Sequence, residues 1–275
     1  GEVKKKERLR FPAPPFITSS LQQEAARKLG FAAKKTMMIA QQLYEGLDLS
    51  KDEGTVGLIT YIRTDSARIS EEARKEAAEY IKANYGTDYL PEKAYFYANK
   101  GKVQNAHECI RPTSAARHPD SVKQYLKNDQ YKLYKLVWER FIASQVAPAE
   151  VDVTTADLKV KKYLFRATGS VMVFPGFTKI YTEGKDDQDK EEENSLPVLY
   201  EKEEIKLDKL LPKQHFTQPP PRYSEATLIK TLEEKGIGRP STYAPILDTI
   251  ISRGYVVKKQ KLYYPTELGS LVVDL

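Results

Sequence analysis

The sequence predicts an α+β, multidomain chain, and three changes of pattern along it carry that prediction. Residues 21–147 are dominated by apolar side chains at helical spacing, punctuated by capping residues. From residue 148 the texture shifts to short alternating runs broken by Gly, Pro and acids, a β pattern that the proline run Pro219-Pro220-Pro221 closes at residue 221. Residues 222–275 then read helix, turn, helix, hairpin, the order of a winged-helix module.

The elements follow in chain order. "PAPPFITSS" is a proline-rich entry, and Ser19 or Ser20 is positioned to cap a helix beginning "LQQEAARKLG" and stopping at Gly30. "KKTMMIAQQLYEGL" is a second helix, with Met37, Ala40, Gln41 and Tyr44 at helical spacing and the Met37-Met38 pair expected in the core. The segment from Val56 to Arg63 is β-branched and aromatic, which predicts a strand. "SEEARKEAAEYIKANYG" is a helix capped by Ser70, with acids in its first turn and Gly86 beyond its end. Lys127 to Ala147 forms another amphipathic helix. Strands are expected in "AEVDVTTADLKV", "YLFRATGSVMVFPGF", "TKIYTEG" and "EEIKLDKLL". In the last segment, "SEATLIKTLEEKG" is a capped helix. "STYAPILDTIISRG" is a second, with Ser241 as its cap and Ile246, Leu247, Ile250 and Ile251 on one apolar face. "YVVKKQKLYYPT" is a hairpin turning at Lys259-Gln260.

Bulk properties narrow the function. An apolar content of 40% with 18 Tyr describes a folded chain, and no apolar run approaches the roughly 20 residues that span a bilayer. The single cysteine, Cys109, excludes an internal disulfide framework and fits a reducing compartment. A net charge of +6 suits a polyanionic partner. The run "VKKKERLR" is basic and "EGKDDQDKEEEN" acidic; the acidic run is read as a solvated loop, and Asp187-Gln188-Asp189 within it is not read as a metal site. The chain starts Gly-Glu-Val and ends in the uncapped apolar run "LGSLVVDL", so it is expected to be a piece of a longer protein.

Two stretches carry chemistry. In "GLITYIRTDS", Tyr61 and Arg63 are two apart, and on an extended segment they project to the same side. In "NAHECIRPT", His107 and Arg111 are four apart: on a helix they share a face, and in a loop ended by Pro112 they still converge. A tyrosine hydroxyl is a weak nucleophile near neutrality, and attack on a phosphodiester needs cations on the non-bridging oxygens. Arg63, Arg111 and His107 are the candidates to supply them. Such an attack would yield a phosphotyrosine and a free hydroxyl, a transesterification that stores the bond for resealing without ATP.

These motifs, with "PFITSSLQQEAARKLGFAAKKTMMIAQQLYEG" and "RYSEATLIKTLEEKGIGRPSTYAPILDTIISRGYV", resemble bacterial DNA topoisomerase I, a type IA topoisomerase, over nearly the whole chain. Ile62 in "YIRTDS" and Cys109 in "HECIRPT" are small departures from the family pattern. The resemblance implies that Tyr61 forms a 5′-phosphotyrosine link, relaxing negative supercoils, and that Arg63 and His107 position and neutralise the scissile phosphate. It implies that Arg111, Arg239, Ser241, Thr242 and Arg253 contact single-stranded DNA. It further implies a helical domain carrying the tyrosine (21–147), a β-rich arch (1–20 and 148–221) and a winged-helix-like module (222–275). The family's N-terminal TOPRIM domain, with its acidic Mg²⁺ site, has no counterpart here, so no metal ligand is expected in this stretch and the stretch alone is expected to be inactive. A cytoplasmic, nucleoid-associated monomer with no membrane partner is the setting the resemblance implies. Two other readings compete. A tyrosine recombinase or type IB enzyme places His and Arg before a Tyr near the C-terminus, the reverse of the order here. A non-catalytic module that binds single strands would form no covalent adduct.

Overall fold

The computed structural model describes residues 1–50, 53–97, 107–185, 196–201 and 203–275. Asp187-Gln188-Asp189, and Asn105 and Ala106 of the second motif, lie outside the described residues. The chain opens with β1 (Glu2–Arg10), which includes the basic run Val3–Arg10. Helix α1 (Thr18–Glu24) passes into a π-helical turn, Ala25–Leu29, which Gly30 closes at φ +67°. The predicted cap at Ser19 or Ser20 is corrected: the helix starts at Thr18, because Ser20 Oγ accepts from the Ile17 N–H (3.0 Å) and Thr18 is drawn to a distant partner described below.

Helix α2 (Ala33–Glu45) buries Ala33, Thr36, Ile39, Ala40 and Leu43. The methionine pair straddles the edge of that face, so Met37 is half-buried while Met38 is 55% exposed, a correction to the core expectation. A short hairpin follows, β2 (Leu47–Ser50) and β3 (Gly54–Val56). The predicted strand 56–63 is therefore shorter and earlier. Leu58 and Ile59 are both buried, which breaks alternation, and beyond them only an isolated bridge from Ile59 to Pro112 continues the pairing.

Helix α3 (Glu71–Tyr85) has Ser70 as its cap, the side chain accepting from the Ala73 N–H. After the single turn α4 (Pro119–Val122), helix α5 (Asn128–Ala143) places Leu133, Tyr134, Val137, Trp138 and Phe141 in the main core, against Leu21, Leu43, Ile59, Ile62 and Ile81. The helix ends four residues before the predicted Ala147, where the chain turns into β4. Strands β4 (Ala149–Val160) and β5 (Tyr163–Phe174) form with β1 an antiparallel sheet of order β1-β4-β5, Glu2 facing Asp157 and Arg10 facing Ala149. Ala149 and Val151, at the sheet's root, are buried, whereas Tyr163 and Leu164 at its tip are more than half exposed.

Two predicted strands are absent. "TKIYTEG" begins in a 3-10 turn, Gly176–Lys179, and is then captured by a buried arginine. "EEIKLDKLL" is exposed and, among the described residues, pairs with no strand, so its alternation has no ladder to join. The capturing residue is Arg140, buried on the last turn of α5. Its Nε donates to the Pro14 carbonyl (2.6 Å), and its Nη1 donates to Tyr181 Oη (3.3 Å) and Glu183 Oε1 (2.9 Å). Tyr181 in turn donates to the buried Glu24 carboxylate, and burial holds its phenol well above the ordinary range.

In the C-terminal module, helix α6 (Glu225–Glu234) is capped by Ser224. Helix α7 (Tyr243–Ser252) has Thr242 at its N-cap position, not Ser241, which lies exposed in the preceding turn. The buried face of α7 is Tyr243, Ala244 and Leu247; Ile251, one turn beyond Leu247 near the end of the helix, is 40% exposed. The hairpin β6 (Val256–Lys259) and β7 (Leu262–Pro265) turns one residue later than predicted, at Gln260-Lys261, whose positive φ values (48° and 69°) suit a two-residue turn. Helix α8 (Glu267–Asp274) follows. A second small core, Ala33, Ile229, Ala244, Leu247 and Tyr263, joins this module to α2. Glu225 reinforces the joint: its carboxylate accepts from the Ala33 N–H (2.6 Å) at the start of α2, from Lys258 and from the Tyr263 hydroxyl. Among the described residues no helix is long and apolar enough to cross a membrane.

Candidate active site

Three segments far apart in sequence are laced together around Tyr61. Residues 107–113 run between Phe16 and the 58–60 segment: Ile110 N–H donates to the Phe16 carbonyl (2.7 Å), Thr60 N–H to the Arg111 carbonyl (2.9 Å) and Thr113 N–H to the Leu58 carbonyl (3.0 Å). Thr60 adds a side-chain tie, its hydroxyl donating to the Cys109 carbonyl (2.7 Å) and accepting from the Arg111 N–H (3.0 Å). On the far side of Tyr61, Thr18 does the same for the next turn of chain. Its hydroxyl donates to the Ile62 carbonyl (2.8 Å) and accepts from the Thr64 N–H (2.9 Å), while its own N–H donates to the Thr64 carbonyl (2.9 Å).

Residues 60, 62 and 64 are thus tied down, and Ile62, Thr64 and Ser66 are buried. Tyr61 and Asp65, half-buried, and Arg63, exposed, alternate with them and face outward. The side shared by Tyr61 and Arg63 comes from these ties rather than from a strand.

On that outward side the Tyr61 ring is flanked by two others. His107, exposed, lies 4.7 Å away between ring centroids at an interplanar angle of 39°. Tyr44, from the last turn of α2, meets it edge-on at 5.7 Å and 69°. Among the described residues nothing forms a hydrogen bond or ion pair with the Tyr61 hydroxyl or the Arg63 guanidinium. Both polar groups are therefore open to an incoming ligand.

Arg111 is arranged differently. The 107–111 stretch is not helical, so His107 and Arg111 do not stack one turn apart. The Arg111 Nε donates to Glu108 Oε2 (2.9 Å) and its Nη1 to the Pro112 carbonyl (3.0 Å), and the same Glu108 oxygen accepts from the Ser70 N–H (3.3 Å). The guanidinium thereby braces the turn into α3. Cys109, fully buried beside it, has its thiol pushed up to about 12 by burial, with the nearby Arg111 charge pulling the other way.

The remaining predicted residues lie on the C-terminal module, and no described contact joins them to Tyr61. Arg239 Nη1 donates to the carbonyls of Gly236 (3.3 Å) and Gly238 (2.7 Å), and the Thr242 hydroxyl accepts from the Arg239 N–H (2.8 Å). Ser241 and Arg253 are exposed. The module does reach the site's edge: Tyr243, raised above its ordinary pKa mainly by burial, also feels the Asp65 carboxylate.

Sequence reading missed Thr18, Thr60 and Tyr44. Their partners are 44–51 residues away for the threonines, and no local pattern marks such ties. Among the described residues there is no group of three or more His, Cys, Asp or Glu side chains placed to hold a metal ion. Glu108, the carboxylate that follows His107, is already engaged by Arg111 and the Ser70 N–H. These residues do not fit a magnesium site.

Residues 1–275, the whole chain, match the family described as DNA topoisomerase. Among solved structures, full-length topoisomerase I from Thermotoga maritima is similar, with a TM-score of 0.84 and 40% sequence identity. The match covers 99% of this chain and 43% of that one, so the chain spans less than half the length of this relative. With its whole length matched, the chain belongs to the DNA topoisomerase family.

Proposed function

We propose that these residues carry the strand-breaking nucleophile of a type IA topoisomerase, acting on single-stranded DNA within negatively supercoiled duplex. The observation that carries the reading is the joint presentation of the Tyr61 hydroxyl and the Arg63 guanidinium, both without a hydrogen-bond or ion-pair partner among the described residues, on one side of a tightly tied segment, with His107 against the Tyr61 ring. The Tyr61 oxygen attacks the scissile phosphorus, the bond from phosphorus to the 3′ oxygen breaks, and a 5′-phosphotyrosine forms. Tyr61 gives up its proton, and the departing 3′ oxygen takes one up. Reversal of the same steps reseals the strand. Arg63 and His107 sit on the non-bridging oxygens, where charge builds as the bond order changes. Arg239, Ser241, Thr242 and Arg253 contribute contacts along the strand, and Arg111 acts nearer the centre.

The magnesium of such enzymes, which the described residues do not fit, belongs on this reading to a separate TOPRIM domain, and no step is routed through it here. The protein works as a monomer in the cytoplasm.

The test uses the full-length protein and an oligonucleotide labelled at its 3′ end, which a 5′-phosphotyrosine link retains. Label should transfer to wild-type protein and not to Tyr61→Phe, which removes only the hydroxyl. Adduct or plasmid relaxation that persists in Tyr61→Phe overturns the assignment. The 275-residue chain alone should bind single strands without relaxing plasmid. Relaxation by it, abolished in Tyr61→Phe, would show that the proton-transfer groups lie within these residues.

A further inference from the structure

We infer that Tyr44 is a positioning residue for the nucleophile, acting through its ring, an inference that rests on the proposed role of Tyr61. The Tyr61 hydroxyl has no hydrogen-bond partner among the described residues, so only the packing of its ring sets where the oxygen sits. Among the described residues two aromatic rings pack against it. His107 is exposed and lies in a segment that is neither helix nor strand, whereas Tyr44 stands on the last turn of a thirteen-residue helix. That turn is locked to the Tyr61 segment. Leu58 N–H donates to the Leu43 carbonyl (2.7 Å), and Gly57 approaches so closely that a Cβ there would lie 2.8 Å from the Tyr44 carbonyl oxygen. The edge-on ring of Tyr44 is thus held a few residues from the nucleophile by backbone contacts, and it limits the rotation of the Tyr61 ring. The Tyr44 hydroxyl has no partner among the described residues, so the ring and not the polar end is the working part. A near-attack geometry is sensitive to displacements of about 1 Å, which a freed phenol exceeds.

The experiment measures, in the full-length protein at saturating 3′-labelled single-stranded DNA, the rate of covalent adduct formation, and separately the DNA dissociation constant. Tyr44→Ala should slow adduct formation roughly tenfold or more, with affinity changed by less than about twofold. Tyr44→Phe, which keeps the ring, should restore the wild-type rate. Tyr44→Leu keeps bulk without the flat edge and carries the test if the alanine variant unfolds; it should be slow as well. A wild-type rate in Tyr44→Ala or Tyr44→Leu overturns the inference. So does a Tyr44→Phe as slow as the alanine variant, which would assign the work to the hydroxyl, or a loss of affinity matching the loss of rate, which would make Tyr44 a DNA contact. Failure of the underlying reading looks different: no adduct from the wild type, or adduct from Tyr61→Phe.

Discussion

Replacing Thr18 by Val tests the lacing that presents Tyr61 and Arg63. Valine matches threonine in shape, so packing at this fully buried position is kept and only the hydroxyl is lost. Two backbone groups are stranded: the Thr64 N–H, which donated to the hydroxyl at 2.9 Å, and the Ile62 carbonyl, which accepted from it at 2.8 Å. The Thr64 carbonyl keeps the Thr18 N–H, so it is spared. An unsatisfied buried polar group costs about 1–3 kcal/mol, which puts the pair at about 2–4 kcal/mol after partial relaxation. The loss should appear as a lower midpoint in urea unfolding followed by circular dichroism. In full-length protein the same change should slow adduct formation by roughly 10- to 100-fold, since the segment carrying Arg63 drifts from its register. Thr18→Ser, which keeps the hydroxyl, should recover most of both. If Thr18→Val stays within about 0.5 kcal/mol of wild type and cleaves at the wild-type rate, the threonine ties do not hold the site.

Arg63→Lys should leave stability within about 0.5 kcal/mol, because the side chain is exposed, yet slow adduct formation by more than it weakens DNA binding, since a lysine ammonium does not reproduce the guanidinium fork. Equal losses in rate and affinity would reduce Arg63 to a general phosphate contact. Cys109, buried and pushed up to about 12, should resist iodoacetamide at pH 8 until urea unfolds the chain; native labelling as fast as that of a free thiol would contradict its burial. The same shift sets a pH dependence. The neutral thiol is favoured in the fold, so its contribution is complete below the ordinary value of 9.0 and is lost as pH rises through about 12. Tyr131, whose hydroxyl donates to Asp120, is pushed up to about 12 as well, so Cys109→Ala should flatten the alkaline loss of stability without abolishing it.

Much of the architecture is written in local pattern. Ser70 and Ser224 cap the helices they precede, and the alternation in 149–174 becomes β4 and β5. Tyr61, Arg63 and His107 stand out because each sits in a short polar motif. What escapes is whatever depends on a distant partner. β1 shows only its basic charge in the local pattern, because its stability comes from β4, more than a hundred residues on. Conversely, the alternating residues 203–211 look like a strand and find no ladder among the described residues. Thr18, just before the serines expected to cap the helix, has no local signal of its own, yet it secures the segment around Arg63 across 46 residues. Met38 fails for a smaller reason: a helical face read one position out of phase moves a core residue into solvent.

Arg140 has a mechanical consequence. Three stretches of described residues join the helical body to the root of the three-stranded sheet: 10–18, 143–149 and 174–184. One guanidinium grips the first passage at Pro14 and the third at Tyr181 and Glu183, and it sits on the helix turn that launches the second. The root of the sheet is therefore tied to α5 by one buried guanidinium, next to the bond from the Ala147 N–H to the Tyr89 carbonyl and the ring contact of Tyr89 with Phe174. The partners differ in kind: the Pro14 carbonyl is neutral, while Glu183 is charged and its side chain is 57% exposed. Added salt weakens the outer hold first, slackening the third passage while the first stays fast, so the stiffness of this neck responds to ionic strength.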